Sequence, residues 1–481
     1  MLIRQISRVK PGGLAYVRRH PTASEPDPAA GARSCVRNAS YKPLYSISLP
    51  RTRLAANLKQ ISPWLDQHRP LLRLVSSDLC RDGVRETGRR GLPAEAVLRC
   101  ALLKQYRQLS YEELAFHLED SASFRAFARL PMGWTPKKAV LQKTISAITA
   151  ASWEAINQAV VRNARQTKLE PAAMVRIDST VTEALMHAPT DSSLLWDAVR
   201  VMTRLLKRAR ALGGPVAIAW RDHRRLAKKR AQAIEYSRGK ERKAKLYREL
   251  LAATHATKEA LERTLALAAC AGPVAAGWCR EVRHYLPLIE RVMTQTRRRV
   301  FDGEAVPAGE KLVSLFEPHA AIIVKGGRAV QYGHKINLAT GRSGLILDVV
   351  VESGNPADAE RFLPMLERHI AHHGQPPRQT ASDGGYASAA NLAQAKALGV
   401  SDVAFHKKAR LGIEAMVKSR WVYRKLRNFR AGIEANISCL KRAFGLARCT
   451  WRGLAHFTAY VWSSVVAYNL ALCARLALAE T

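Results

Sequence analysis

The chain has 481 residues, and its 77 lysines and arginines against 39 aspartates and glutamates give a formal net charge of +38. The length predicts two or three domains, and a hydrophobic content of 47% excludes a largely disordered protein. The sequence pI near 10.5 favours a polyanionic partner. Nucleic acid is the commonest such partner, and a membrane surface or a ribosome remains an alternative.

The cysteines and the apolar segments indicate a cytoplasmic protein without a membrane span. The eight cysteines form no CxxC pair and have no histidine at zinc-finger spacing, so we expect reduced thiols. The N-terminus lacks the uninterrupted apolar core of a secretory signal. Residues 453–473 carry no Asp, Glu, Lys or Arg, but their polar side chains favour a buried helix over a span. These side chains belong to His456, Thr458, Ser463, Ser464 and Asn469.

The first third of the chain divides into two parts. Residues 1–50 are rich in Arg, Pro, Ser, Gly and Ala without periodicity, which predicts a disordered extension. Residues 51–168 have helical patterns, with a predicted capping box of Ser110 and Glu113. Several short helices with turns between them are compatible with a helix-turn-helix, although many small helical domains have this pattern. We therefore expect an all-helical N-terminal domain with a role in DNA binding.

A β-branched segment, Met174 to Thr182, predicts the first strand and carries Asp178. Residues 192–310 then return to helical patterns, crowded with Lys and Arg between Leu205 and Leu251. This segment is either a solvated helical hairpin or a phosphate-contacting arm. It interrupts an α/β domain, which we assign to residues 169–191 and 311–478.

The second part of the α/β domain alternates strands and helices. Strands are predicted around Ala320–Val324, Ala329–Ala339 and Gly344–Val351, and two more end at Asp383 and near Phe405. Helices are predicted between the later strands and after the last one. The order predicts a mixed five-stranded sheet with helices on both faces.

The last of these helices, Tyr423 to Leu446, is basic and amphipathic. At about 100° per residue, five apolar residues form one core-facing stripe, and Arg430, Glu434 and Lys441 lie along its border. On this helix alone, Arg430 and Glu434 suggest an i,i+4 ion pair on a solvated face. The apolar residues are Phe429, Ile433, Ile437, Leu440 and Phe444.

Three acidic residues, Asp178, Asp383 and Glu434, are therefore expected near one edge of the sheet, where sites collect in α/β folds. Each has a simpler explanation taken singly, namely a strand-end cap, a turn and an ion pair. Together they predict a site for divalent cations, because clustered carboxylates repel one another and offer the oxygen ligands that Mg²⁺ and Mn²⁺ prefer. Two such ions are suited to cleaving phosphodiester bonds.

Long motifs resemble the DDE transposases of bacterial insertion sequences, ISNCY-type, over roughly residues 55–478. This resemblance implies an RNase H-like catalytic fold and the metal-dependent cleavage of transposon ends followed by strand transfer into target DNA. The motifs are RIDSTVTEALMHAPTDSSLLWDAVRVMTRLL (176–206), KLVSLFEPHAAIIVKG (311–326), YGHKINLATGRSGLILDVVVESGNPAD (332–358), SDGGYAS (382–388) and FRAGIEANISCLKRAFGLARCTWRG (429–453).

The resemblance also implies roles for single residues. Asp178, Asp383 and Glu434 would be the catalytic metal ligands, holding two Mg²⁺ or Mn²⁺ ions. Many members carry the signature Tyr-x2-Arg-x3-Glu-x6-Lys. Arg430, Glu434 and Lys441 match it, so Arg430 and Lys441 would contact DNA phosphates, but Arg427 stands at the Tyr position.

Further expectations concern partners and neighbouring residues. His334 and Lys335, on the strand after Ala329, are expected within reach of the DNA, although His334 is also compatible with a core histidine. The partners implied are double-stranded DNA, as transposon ends and target, and a second copy of the chain in a homodimer or larger complex. A bacterial protein of this kind would act on the nucleoid. The alternatives are a transposase-derived DNA-binding protein without catalysis and an RNase H-like nuclease.

Overall fold

The computed structural model describes seven stretches of the chain, and the predicted N-terminal extension lies outside them. The described residues are 52–80, 91–131, 133–212, 218–268, 272–324, 329–406 and 410–479. Within them the protein is an α/β fold with an open mixed sheet, a helical insertion and a helical N-terminal region, as the sequence predicts.

The N-terminal region consists of seven helices in the described residues. Ser110 and Glu113 form the predicted capping box at the start of the fourth helix, each side chain accepting a hydrogen bond from the other's backbone N–H. The third helix is buried on nearly all sides. The helices are α1 (Arg53–Gln67), α2 (Leu71–Leu79), α3 (Ala94–Arg107), α4 (Tyr111–Asp120), α5 (Ala122–Ala128), α6 (Lys138–Ile145) and α7 (Ala150–Gln166).

The sheet has six strands in the described part of the chain. The sequence predicts a strand at each of these places, but it predicts a sheet of only five. The strands are β1 (Met174–Glu183), β2 (Ala321–Ile323), β3 (Gln331–Thr340), β4 (Ile346–Val351), β5 (Gln379–Ser382) and β6 (Asp402–Phe405). Five of them have the order β4-β3-β1-β5-β6, with β5 and β6 parallel to β1, and β3 antiparallel to both β1 and β4. The short strand β2 pairs only with the start of β3.

Four helices follow β1 and form the insertion. They bury a core of their own, in which the Trp278 indole donates a hydrogen bond to the Leu205 carbonyl. The second and third helices carry most of the exposed lysines and arginines predicted there. The helices are α8 (Asp191–Leu212), α9 (Arg224–Tyr236), α10 (Lys240–Ala268) and α11 (Gly272–Val300).

Five helices complete the α/β domain, and they cover both faces of the sheet. They are α12 (Asp358–His373), α13 (Ala389–Ala397), α14 (Ile413–Met416), α15 (Arg420–Ala443) and α16 (Leu454–Ala479). Side chains alternate between the two faces along β1. Arg176 and Asp178 contact α15, whereas Ser179 contacts Asp358 at the start of α12. The register of β1 therefore decides which residues face the helix that carries Glu434.

The apolar helix α16 joins the N-terminal helices to the sheet. It has the length and composition of a membrane span, but 67% of its most apolar window is buried inside the protein. It packs against α7, α3, α1 and β4, and one apolar core includes residues of all these elements. Two of its polar residues, Ser464 and Asn469, are fully buried and hydrogen-bonded. Core packing thus explains the composition that raised the question of a span.

The cysteines depart from the expectation in one place. Cys100, Cys279, Cys439, Cys449 and Cys473 are free thiols, as predicted. Burial raises the pKa of the Cys100 and Cys449 thiols to about 12, so both stay protonated at neutral pH. Cys80, however, is disulfide-bonded, and the prediction of a reduced thiol is wrong there, because spacing along the chain does not reveal which thiols the fold brings together.

Candidate active site

Asp178 lies in the middle of the sheet, where its neighbours hold it in place. Strand β1 runs between β3 and β5, and Asp178 is only 7% exposed. One carboxylate oxygen, Oδ1, accepts a hydrogen bond of 2.7 Å from the backbone N–H of Ser179. The other oxygen, Oδ2, faces α15 and the Arg430 guanidinium. A buried carboxylate requires such compensation, since the loss of hydration is costly.

Asp383 reaches the same place because β5 is parallel to β1. Ser382, the last residue of β5, pairs with Ile177, so Asp383 follows directly beside Asp178. Asp383 caps a single 3-10 turn, Gly384–Tyr386, by accepting a 2.7 Å hydrogen bond from the Gly384 N–H. Its Oδ1 also lies 3.7 Å from Nδ1 of His406, just after β6. The predicted turn at this position exists, and it leaves the second carboxylate oxygen directed at Arg430.

Glu434 comes from helix α15, which lies over this edge of the sheet. The predicted apolar stripe anchors the helix, since Ile433, Leu440 and Phe444 are buried and Phe429 and Ile437 are partly buried. Glu434 lies beside this stripe, at the predicted border, and its side chain is 65% exposed. The helix therefore presents this carboxylate to solvent at the mouth of the site.

Arg430 contacts all three predicted carboxylates. Its Nη1 lies 2.7 Å from Oε1 of Glu434, and its Nη2 lies 3.0 Å from Oδ2 of Asp178 and 3.7 Å from Oδ2 of Asp383. The simple i,i+4 pair thus exists, and it extends to two acids from distant parts of the chain. The contact of Arg430 with DNA stays a prediction, and in this structure its side chain pairs with the acids and is only 12% exposed.

Comparison with known families finds transposase domains in two parts of the chain. The family described as "Transposase DDE domain" matches residues 294–470, and the family described as "Transposase domain (DUF772)" matches residues 48–148. The chain is a DDE-type transposase of an insertion sequence. The matched ranges include Asp383 and Glu434 but leave out β1 with Asp178 and most of the insertion. Searches among curated proteins and among solved structures found no match.

Arg176 fixes the position of α15 in the transposase, and the sequence patterns did not single it out. Its guanidinium donates three hydrogen bonds of 2.7 Å, to Oγ1 of Thr340, to the Phe429 carbonyl and to Oδ1 of Asn436. It also lies over the Phe429 ring, with Cζ 4.7 Å from the ring centre. Burial lowers the pKa of Arg176, but an arginine remains charged at any physiological pH.

Gly432 allows this close approach between the strand and the helix. A Cβ atom at this position would lie 2.2 Å from Nη1 of Arg176, far inside van der Waals contact. The sequence offered one signal, a glycine inside a strongly periodic helix, which usually has a packing or functional reason. The Arg176 contact supplies that reason and sets the distance between Asp178, two residues further along β1, and Glu434.

The contact of His334 with DNA stays a prediction, and the structure places this residue in the core. His334 is 1% exposed, and its ring lies 4.7 Å from that of Phe457 on α16. Its Nδ1 is 2.9 Å from the Glu352 carbonyl, and its Nε2 is 2.7 Å from His319. Burial lowers the pKa of His334, so it is a neutral core histidine, which was the alternative explanation.

The contact of Lys335 with DNA stays a prediction too. Lys335 is opposite Val181 in the register of β1 and β3, so it points to the sheet face away from Asp178. Its side chain is 9% exposed, and its Nζ lies 2.6 Å from Oδ1 of Asp358. In this structure the ammonium supports the start of α12. Lys441 is half-buried in the last part of α15, on the Glu434 side of the helix.

A second group of metal-ligating residues lies away from this site. Glu154 on α7, Asp348 on β4 and His372 on α12 have ligand atoms within 4.8 Å of one another. Arg368 already pairs with two of them, at 2.6 Å from Asp348 and 2.7 Å from Glu154. The described residues include no other group that meets this distance. The carboxylate oxygens of Asp178, Asp383 and Glu434, which surround Arg430, are therefore not all within 4.8 Å of one another.

Proposed function

We propose that this transposase uses Asp178, Asp383 and Glu434 to cleave the ends of its insertion sequence and to join them to target DNA. The observation that supports this best is the convergence of three carboxylates, from two strands and a helix, on one cationic group. The three acids already surround one positively charged guanidinium, so their arrangement is suited to binding cations. The alternatives are a DNA-binding protein without catalysis and a nuclease. The first would not use these carboxylates, and the second would use them for cleavage but not for strand transfer.

The donor set fits Mg²⁺ or Mn²⁺, which prefer carboxylate oxygens and water. Asp178, Asp383 and Glu434 would hold two ions, and their wide spacing is compatible with two ions better than with one. When bound, such ions activate the attacking oxygen and stabilise the leaving one at a phosphodiester. Asp178 is the most firmly placed ligand because β1 is buried on both sides, and Glu434 is the most accessible to DNA.

Arg430 would change partners during this reaction. In the structure it neutralises the three carboxylates, and its planar fork of N–H donors suits phosphate as well as carboxylate. Cations bound to the three acids would neutralise the carboxylates with which Arg430 forms ion pairs. The guanidinium would then be available for the phosphate at the scissile bond, which is the role that the signature implies for it.

Double-stranded DNA is the proposed substrate, both as the transposon end and as the target. The net charge of +38 supports this, as do the exposed basic residues of α9 and α10. Two ends must be joined to one target, so we propose a homodimer or larger complex on the DNA. The insertion, with its own core, is suited to grip an end or the partner subunit. These substrates place the activity on chromosomal DNA in the cytoplasm.

The test is cleavage of duplexes taken from the DNA that flanks the gene, with Mn²⁺ present. We expect Asp178→Asn, Asp383→Asn and Glu434→Gln each to lower the cleavage rate by about 100-fold or more, since loss of a residue that merely supports a ligand already costs about 10–100-fold. Glu414→Gln removes an exposed carboxylate of α14 and should cleave like wild type.

Each contrary result has a distinct meaning. A variant of the three that cleaves at the wild-type rate removes its residue from the proposed set. A wild-type protein that binds the duplex in a salt-sensitive manner without cutting it is a binding protein. Cleavage without joined products, when a target duplex is supplied, identifies a nuclease.

A further inference from the structure

The N-terminal half of α15 has an unusual charge distribution. The helix carries seven basic residues and one acid, Glu434. Arg430 is paired with that acid. Arg420, Arg424 and Arg427 are exposed, and in the described part of the chain no carboxylate forms an ion pair with any of them. Some exposed arginines elsewhere find acids, as Arg208 does with Glu281, and others in the described residues do not, as with Arg225 and Arg242.

These three arginines lie on the Glu434 side of the helix. At about 100° per residue, Arg427, Arg420 and Arg424 are roughly 20°, 40° and 80° from Glu434 around the helix axis. The remaining cation of this half, Lys425, points about 180° away from Glu434, and its Nζ lies 5.1 Å from the centre of the Trp421 ring. The unpaired charge is therefore directed to the side on which the site opens.

We propose that Arg420, Arg424 and Arg427 form a track that binds the phosphate backbone of the duplex next to the scissile bond. This inference rests on the proposed function. At about 1.5 Å per residue, Arg427 is roughly 10 Å and Arg420 roughly 21 Å from Glu434 along the helix. At about 3.4 Å of duplex axis per base pair, the track covers phosphates roughly three to six base pairs from the cut.

Arg427 acquires a specific role in this arrangement. It occupies the position at which the transposase signature has Tyr, and it is the arginine of the track nearest to Glu434. An exposed arginine there continues the row of positive charge from the site to the start of the helix. The departure from the signature is thus consistent with a backbone contact in which charge replaces the phenol.

The salt dependence of DNA binding measures such contacts directly. Each phosphate neutralised adds about 0.9 to the slope of log affinity against log salt concentration. A 30-base-pair duplex is titrated by fluorescence anisotropy in EDTA, so that no cleavage occurs. The triple variant Arg420→Gln, Arg424→Gln, Arg427→Gln should lose about 2.7 from the wild-type slope. When the salt concentration rises fourfold, the affinity of both proteins falls, and the fall is about 40-fold smaller for the triple variant than for wild type.

Matched variants separate the track from a general loss of charge. Lys425→Gln removes one exposed cation from the opposite side of the same helix and should leave the slope unchanged, whereas Arg427→Gln should lower it by about 0.9. The three corresponding Arg→Lys changes keep the charge and should keep the slope. A triple Gln variant with the wild-type slope overturns the track, and so does an equal effect of Lys425→Gln and Arg427→Gln.

Ethylation of single phosphates locates the track on the DNA. With a duplex from one end of the element, we expect ethyl groups three to six base pairs from the cut to impair binding by wild type but not by the triple variant. Interference inside the element assigns the track to the transposon end, and interference outside assigns it to the flanking DNA. Identical patterns for both proteins overturn the track, whereas a wild type that binds no duplex contradicts the proposed function itself.

Discussion

Arg430 has two possible sets of partners, and the structure shows one of them. Its guanidinium balances Asp178, Asp383 and Glu434, and its Nε is buried without a hydrogen-bond partner. Divalent cations, which prefer the same carboxylate oxygens, would compete with the guanidinium for these acids.

Arg430→Met tests this competition through stability. Without divalent cations, we expect the variant to lose about 1 kcal/mol, because three carboxylates lose a shared counter-ion and much of the site is screened by water. Added Mn²⁺ should raise the Tm of the variant more than that of wild type, since the cation no longer competes with the guanidinium. Arg442→Met, on the same helix, should show the wild-type response, and an equal Mn²⁺ response of all three proteins would contradict the competition.

At the level of the elements, the contact between Gly432 and Arg176 decides how α15 packs on β1. A glycine inside a helix is about 0.8–1 kcal/mol less favourable than an alanine. An unhindered Gly432→Ala would therefore stabilise the protein. Because the new methyl group would displace the Arg176 guanidinium and break hydrogen bonds to Phe429 and Asn436, we expect a net loss of about 1–3 kcal/mol.

A double-mutant cycle by urea denaturation measures this contact. In the Arg176→Ala background the obstruction is absent, and Gly432→Ala should change sign and become stabilising by up to about 1 kcal/mol. The cleavage rate of Gly432→Ala should also fall at temperatures where the variant is fully folded, because Glu434 is displaced relative to Asp178. If Gly432→Ala stabilises both backgrounds equally, Arg176 does not hold the helix.

The same two elements show what sequence reasoning reaches and where it ends. The apolar period of α15 and the alternation of β1 are local, and they placed Glu434 on a helix and Asp178 on a strand. The contact of Arg430 with Asp178 joins residues 252 positions apart, and that of Arg176 with Asn436 joins residues 260 apart. No local pattern reports such pairs. The burial of His334 is beyond local patterns for the same reason, because nothing local shows that α16 covers it.

At the scale of the whole molecule, α16 links the N-terminal helices to the sheet. Asn469 accepts a 2.9 Å hydrogen bond from the Ile346 N–H on β4, and it donates to the Ile346 carbonyl at 2.8 Å and to Asn157 of α7 at 2.7 Å. One buried side chain thus satisfies a strand edge and links three elements. The insertion has a separate core and takes no part in these bonds.

Asn469→Leu should therefore destabilise two regions together and spare the third. Removing the amide leaves the buried Ile346 N–H and the Asn157 side chain with lost partners, at about 1–3 kcal/mol for each unsatisfied group. In hydrogen exchange monitored by mass spectrometry, peptides from α7 and from β4 should lose protection to the same extent, while peptides from α10 stay as in wild type. His456→Leu, at an exposed position of α16, is the control and should change neither region. Loss of protection in β4 alone would show that the N-terminal helices and the sheet unfold independently, and that α16 does not join them.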